Sequence, residues 1–162
     1  MKLTKKFDKA QALAKAEHYC AYQERSHREV RNKLYTYGLW KNEVEDVLTT
    51  LITSGFLNEE RFAKAFAGGK FRMMKWGRNK IMNELKKRGI SPRCIQYGLK
   101  EIDERDYQKT LKQLIRKKIQ SLKEPNAFKK KSKVASFIIG KGYEPELVWE
   151  RLKDEFSDVY DG

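Results

Sequence analysis

Apolar residues recur along this chain at helical spacing. Val44, Val47, Leu48, Leu51 and Ile52 stand at i, i+3, i+4, i+7 and i+8, one stripe of an amphipathic helix. Tyr107, Leu111, Leu114, Ile115, Ile119 and Leu122 keep the same spacing over successive turns. Alternating apolar and polar runs of strand length are missing, so the pattern predicts an all-α protein. The stripes also repeat. Leu34, Gly38, Leu39, Val44, Leu48 and Leu51 return 51 positions later as Leu85, Gly89, Ile90, Ile95, Leu99 and Ile102. After a further 53 positions come Ile138, Gly142, Tyr143, Val148 and Leu152, with Glu155 where the last apolar rung would stand. A fixed period of this length marks tandem units that bury their apolar faces against one another.

Punctuation sets the helix count. Gly38, Gly89 and Gly142 each follow an apolar helical stretch, where a glycine with positive φ can end a helix. Ser91-Pro92 then supplies an N-cap and a first-turn proline, and Pro145 holds the matching place in the third copy. Ser26-His27-Arg28-Glu29 reads as a capping box opening the helix before the first glycine. Each copy also begins with a longer helix, marked by Ala12, Ala16, Tyr19 and Cys20 in the first and Phe62, Ala63, Phe66 and Ala67 in the second. The Tyr107 stripe is its counterpart in the third, and Asn58-Glu59-Glu60 opens the second copy's helix with a cap and two acids. The expected organisation is three three-helix repeats over residues 10–57, 58–103 and 104–158, with a longer loop near 123–133. Stacked end to end, they predict an elongated, curved array.

Charge adds a partner class. The chain has 162 residues, and 36 Lys plus Arg against 22 Asp plus Glu leave a formal net charge of +14. Basicity of this size favours a polyanion. It is concentrated: Lys64 to Arg93 holds ten basic residues and one acid, and Arg105 to Lys133 holds eleven and two. Lys70, Arg72, Lys75, Arg78 and Lys80 lie beside Phe71, Met73, Met74 and Trp76, a mixture suited to single-stranded DNA if the rings are exposed. If Phe71 and Trp76 are core, the charges merely solvate a surface. Lys86, Lys87 and Arg88 close a helix, where cations also favour the helix dipole. Lys129, Lys130, Lys131 and Lys133 open one, where the dipole opposes them, so a purely structural role suits them less.

Catalytic and cofactor chemistry find little support. His18-Tyr19-Cys20 offers two metal-ligand types with no second cluster to complete a zinc site, and Tyr19 with Cys20 reads as a core face. His27, just after the Ser26 cap, reads as a surface residue. Gly140-Lys141-Gly142 lacks the upstream glycine and the Lys-Ser/Thr pair of a phosphate loop. No catalytic residue, metal or cofactor is expected. Cys20 and Cys94 are too isolated for a disulfide framework, which suggests a reducing compartment. The N-terminal stretch is basic without an uninterrupted apolar run, so neither a secretory signal nor a membrane span is expected, and the protein is expected to be cytoplasmic.

Three segments in order, RSHREVRNKLYTYGL (Arg25 to Leu39), SGFLNEERFAKAF (Ser54 to Phe66) and WGRNKIMNELKKRGIS (Trp76 to Ser91), resemble the RecX family of bacterial regulatory proteins. The likeness runs from about Ala12 to Phe156 and is strongest from Arg25 to Ile102. Asn58 stands where that family usually places an aspartate, and either residue can cap a helix; Glu155 is expected at an exposed helix end. The resemblance implies three tandem three-helix repeats, no chemistry of the chain's own, and restraint of RecA by binding its filament on single-stranded DNA. The twelve basic residues named above would then form the docking surface of an expected monomer. A stand-alone DNA-binding protein built from helix-turn-helix-like units is the alternative. Against it, KNEVEDVLTTL and PRCIQYGLKEI are poor in the basic and amide side chains that a groove-reading helix needs.

Overall fold

The computed structural model of the chain describes residues 6–160. Met1 to Lys5, which open the basic N-terminal stretch, lie outside the described residues. Among the described residues there are nine helices and no strand. They are α1 (Lys9–Tyr22), α2 (His27–Thr36), α3 (Lys41–Thr53), α4 (Glu59–Met74), α5 (Arg78–Lys87), α6 (Pro92–Leu99), α7 (Glu104–Ser121), α8 (Ala127–Gly140) and α9 (Pro145–Tyr160).

Short-range chemistry sets the helix starts. Ser26 Oγ accepts from the Glu29 N–H at 3.1 Å while Glu29 Oε1 accepts from the Ser26 N–H at 3.3 Å, a complete capping box. Asn58, Asp103 and Asn126 each accept from the N–H three residues on, and Pro92 and Pro145 open α6 and α9. The three ladder glycines have φ of 85°, 76° and 106°, the left-handed region a Cβ makes costly. The loop expected over 123–133 is shorter, because Asn126 caps α8 and the helix begins at Ala127. Glu155 is also not at an exposed end. It is 6% exposed and accepts from Arg116 Nε at 2.8 Å, so an ion pair fills the polar rung while Phe156 beside it is buried.

The chain forms two compact units, one built from Met1–Ala65 with Leu85–Gly98, the other from Phe66–Glu84 with Leu99–Gly162. The first closes over Ala12, Ala16, Val30, Leu34, Val44, Leu48 and Leu51, with Leu57 completing it. The second buries Tyr107, Leu111, Ile115, Ile138, Tyr143, Val148 and Leu152. The division falls inside α4 and α5, so the middle repeat is shared out. Each unit therefore contains one joint, in which a glycine turn meets the start of the middle helix one repeat earlier.

In the first unit, Arg28 on α2 donates to the Lys87 carbonyl and lies against Gly89, where an added Cβ would sit 2.6 Å from the guanidinium. In the second, backbone meets backbone. The Gly77 N–H donates to the Lys141 carbonyl at 2.8 Å and the Asn79 N–H to the Gly142 carbonyl at 2.9 Å. A Cβ on Gly77 would lie 2.3 Å from the Gly142 carbonyl carbon. Gly77 occupies the place that Ser26 holds in the first repeat, and only a residue without Cβ lets the chains approach this closely.

Candidate polyanion interface

The expected docking residues divide between the units and between jobs. Lys86, Lys87 and Arg88 belong to the first unit, the other nine to the second. Lys86 and Lys87 are exposed at the end of α5. Arg88 lines a polar cleft of about 180 Å³ with His27, Arg28, Arg31 and Glu59. His27 is half-buried there, not on the open surface as expected, and its Nε2 is enclosed without a hydrogen-bond partner.

In the second unit the aromatic question resolves by burial. Phe71 is 8% exposed and packs on Tyr107 with ring centroids 5.8 Å apart, so it is core. Trp76 is half-buried against Phe66, and the ammonium groups of Lys70 and Lys80 lie 5.0 and 4.6 Å from its ring. Those two lysines are held by cation–π attraction on an aromatic that also packs.

Arg78 is embedded in structure. Its Nη2 lies 2.7 Å from Glu104 Oε2 and its Nη1 3.4 Å from Glu144 Oε2, while the guanidinium stacks 3.8 Å from the centre of the Tyr107 ring. The Arg78 N–H donates to Tyr107 Oη at 3.0 Å, and that hydroxyl donates to Glu144. Burial, reinforced by the hydrogen bond to Glu144, pushes the Tyr107 hydroxyl well above the ordinary tyrosine range. Burial does the same to Tyr143, whose hydroxyl donates to the Lys75 carbonyl at 2.9 Å. The positive charge of Arg78 is thus spent inside the second joint.

Lys75 is different. It ends α4 at φ 56°, a left-handed conformation that costs a residue with Cβ about 1 kcal/mol. Its side chain is exposed and borders two neighbouring clefts. One, of about 290 Å³, is lined by Arg72, Lys75, Lys109, Thr110 and Gln113, with Asp106 as its acid and Phe71 at its base. The other is lined by Leu114, Lys117, Lys118, Phe137 and Lys141. Lys109, Gln113 and Lys117 follow one another at four-residue spacing on α7, a polar face with a cation at each end. Sequence reasoning singled out Arg72 and Lys75 but not Lys109, Lys117, Lys118 or Lys141. The signal for Lys109, Lys117 and Lys118 is the acid-poor run from Arg105 to Lys133; Lys141 lies outside it. On α8, Lys133 pairs with Glu124 at 2.9 Å and holds its carboxyl below the usual range, while Lys131 lies 6.0 Å from the Phe156 ring. Lys129 is exposed in the first turn and Lys130 half-buried beside it.

Among the described residues, no group of three or more His, Cys, Asp or Glu is placed to hold a metal ion. No helix among them is long and apolar enough to cross a membrane. Cations of α4 and α7, of the turn after α4 and of the turn after α8 line two neighbouring clefts.

Sequence models of the second and third three-helix domains of RecX match residues 58–99 and 105–152, together more than half of the chain. The chain belongs to the RecX family. Regulatory protein RecX of Clostridium perfringens (strain SM101 / Type A) is 31% identical over 121 residues, covering 74% of this chain and 56% of that protein. Regulatory protein RecX of Clostridium botulinum (strain Eklund 17B / Type B) is 26% identical over 140 residues, covering 85% and 65%. The chain thus spans between about half and two thirds of the length of these clostridial relatives. The crystal structure of RecX from Lactobacillus salivarius superposes with a TM-score of 0.82 at 18% identity, covering 90% of this chain and 95% of that one. That likeness establishes the shared fold.

Proposed function

We propose that this RecX-family chain is a non-enzymatic, cytoplasmic regulator that docks on the RecA filament and restrains its recombinase and ATPase activity. The docking charge is supplied chiefly by Arg72, Lys75 and Lys109, with Lys129 and Lys130 adding to it. The supporting observation is Lys75: a left-handed position where glycine would be at ease carries an exposed cation between two basic clefts. Backbone strain kept at an exposed, charged corner supports a functional role for the side chain, beside the structural one of its carbonyl. Membership of the RecX family supports RecA as the partner, and the net charge of +14 is consistent with attraction to a DNA-bearing filament.

The test is DNA-dependent ATP hydrolysis by RecA, titrated with the purified chain. Inhibition should fall several-fold in the Lys75→Glu/Lys109→Glu variant while the melting temperature stays near that of the parent. Arg78 is left out of this variant because its guanidinium holds the second joint. Single-stranded DNA alone should bind weakly, with a slope of log K against log salt near −3 to −4 for about four to six phosphates neutralised. DNA binding without any effect on RecA would favour the stand-alone DNA-binding reading instead.

A further inference from the structure

The cleft between α7 and α8 has an unusual lining for a basic protein surface. It is about 330 Å³ in volume, with more apolar than polar wall, and lies against Leu114 and Phe137. Phe137 is 43% exposed although its neighbour Ile138 is fully buried, so one ring stands out of the packed face of α8. Four ammonium groups surround this apolar floor: Lys75, Lys117, Lys118 and Lys141. None of them is paired with a carboxylate lining the same cleft. The volume is at the small end for ligand sites, enough for one large side chain and not for a folded surface.

From this arrangement we infer that the α7–α8 cleft is a docking site for an acidic peptide tail that carries one large apolar or aromatic anchor. The anchor would sit on Leu114 and Phe137, and carboxylates on either side of it would meet the four lysines. An apolar anchor in a small pocket within a charged rim is how a short linear segment gains both affinity and specificity. A nucleic acid strand fits less well. Successive bases need a series of aromatic faces, and this floor offers one ring, Phe137, beside the aliphatic Leu114, with Lys118 Nζ 4.0 Å and Lys141 Nζ 5.7 Å from the ring centre. The cleft shares Lys75 with the surface proposed above to dock on RecA, so the variants used to test it leave Lys75 unchanged.

The experiment uses the full chain and a fluorescein-labelled peptide of consecutive aspartates ending in phenylalanine, read by anisotropy at low salt. Saturable binding is expected, and the same peptide ending in glycine should bind about tenfold more weakly, since the anchor's burial is lost. The Lys118→Gln/Lys141→Gln variant, with an unchanged melting temperature, should also lose about tenfold. Phe137→Ala should weaken the phenylalanine peptide and leave the glycine peptide nearly unchanged. No detectable binding, or binding indifferent to the terminal residue, would overturn the inference. So would a folded double variant that binds as the parent does. A Phe137→Ala variant that loses affinity for a short oligo-dT while keeping the peptide would show a nucleobase site instead. RecA inhibition is measured separately, so loss of one property leaves the other readable.

Discussion

The two joints use the same elements and opposite chemistry. In the first unit the glycine turn around Gly89 is met by a side chain, the Arg28 guanidinium, beside a polar cleft. In the second the turn around Gly142 is met by main chain, through Gly77 and Asn79, and is sealed by Tyr107, Tyr143, Glu144 and Arg78. A long flexible side chain can yield by rotating, whereas two backbones in hydrogen-bonded contact cannot. One ladder of residues therefore yields a compliant joint and a rigid one. The rigid joint is also the one whose carbonyl at Lys75 is fixed by Tyr143, directly under the exposed lysine of the candidate surface.

The sharpest test installs the first repeat's residue in the second joint. Gly77→Ser should cost about 3 kcal/mol or more, because its Cβ meets backbone that cannot move aside. The loss is read as a fall in the denaturation midpoint. Gly89→Val at the compliant joint should cost about 1–2 kcal/mol, the left-handed penalty with little added clash. Equal losses in the two variants would break the contrast between the joints.

Next in size is Arg78→Glu, which places a third carboxylate beside Glu104 and Glu144. It should destabilise the protein by about 2–3 kcal/mol in chemical denaturation. Arg28→Ala should cost under about 1 kcal/mol, since it removes one exposed hydrogen bond and leaves its carbonyl acceptor to water.

A smaller effect appears at alkaline pH. Tyr107 and Tyr143 keep their protons in the folded chain at pH values where the unfolded chain has released them. Stability is then fully present below the unfolded tyrosine pKa of about 10 and declines as pH rises beyond it. Tyr143→Phe should flatten that decline in denaturation midpoints measured from neutral to alkaline pH. The smallest effect is at the surface pair Arg31–Glu45, 3.0 Å apart and largely exposed. Its removal should change stability by under about 1 kcal/mol and less in high salt.

The caps, the glycine turns and the apolar ladder were legible because each acts within a few residues of its own sequence. Ser26, Asn58, Pro92, Pro145 and the three glycines do where they stand what their chemistry dictates. Glu155 was misread because its partner Arg116 lies a helix away, and nothing near Glu155 announces it. His27 was misread for the same reason, since Glu59 and Arg88, which line the cleft beside it, are distant in the sequence. The candidate surface was legible as a charge imbalance and not as a set of residues. Arg78 and Lys75 look alike in the sequence, yet one is paired with Glu104 and Glu144 over the Tyr107 ring and the other is held out on a strained turn.

The sequence by itself determined an all-helical chain, three copies of one apolar ladder, the places where its helices stop, and an excess of positive charge. These follow from local sterics, from capping hydrogen bonds and from counting, none of which needs a distant partner. Only the tertiary structure decided that Gly77 must lack a Cβ, that Phe71 is core, and that Lys109, Lys118 and Lys141 share clefts with Lys75. Burial and charge pairing arise when segments far apart in sequence meet, and the free energy of a charge is set by what it meets.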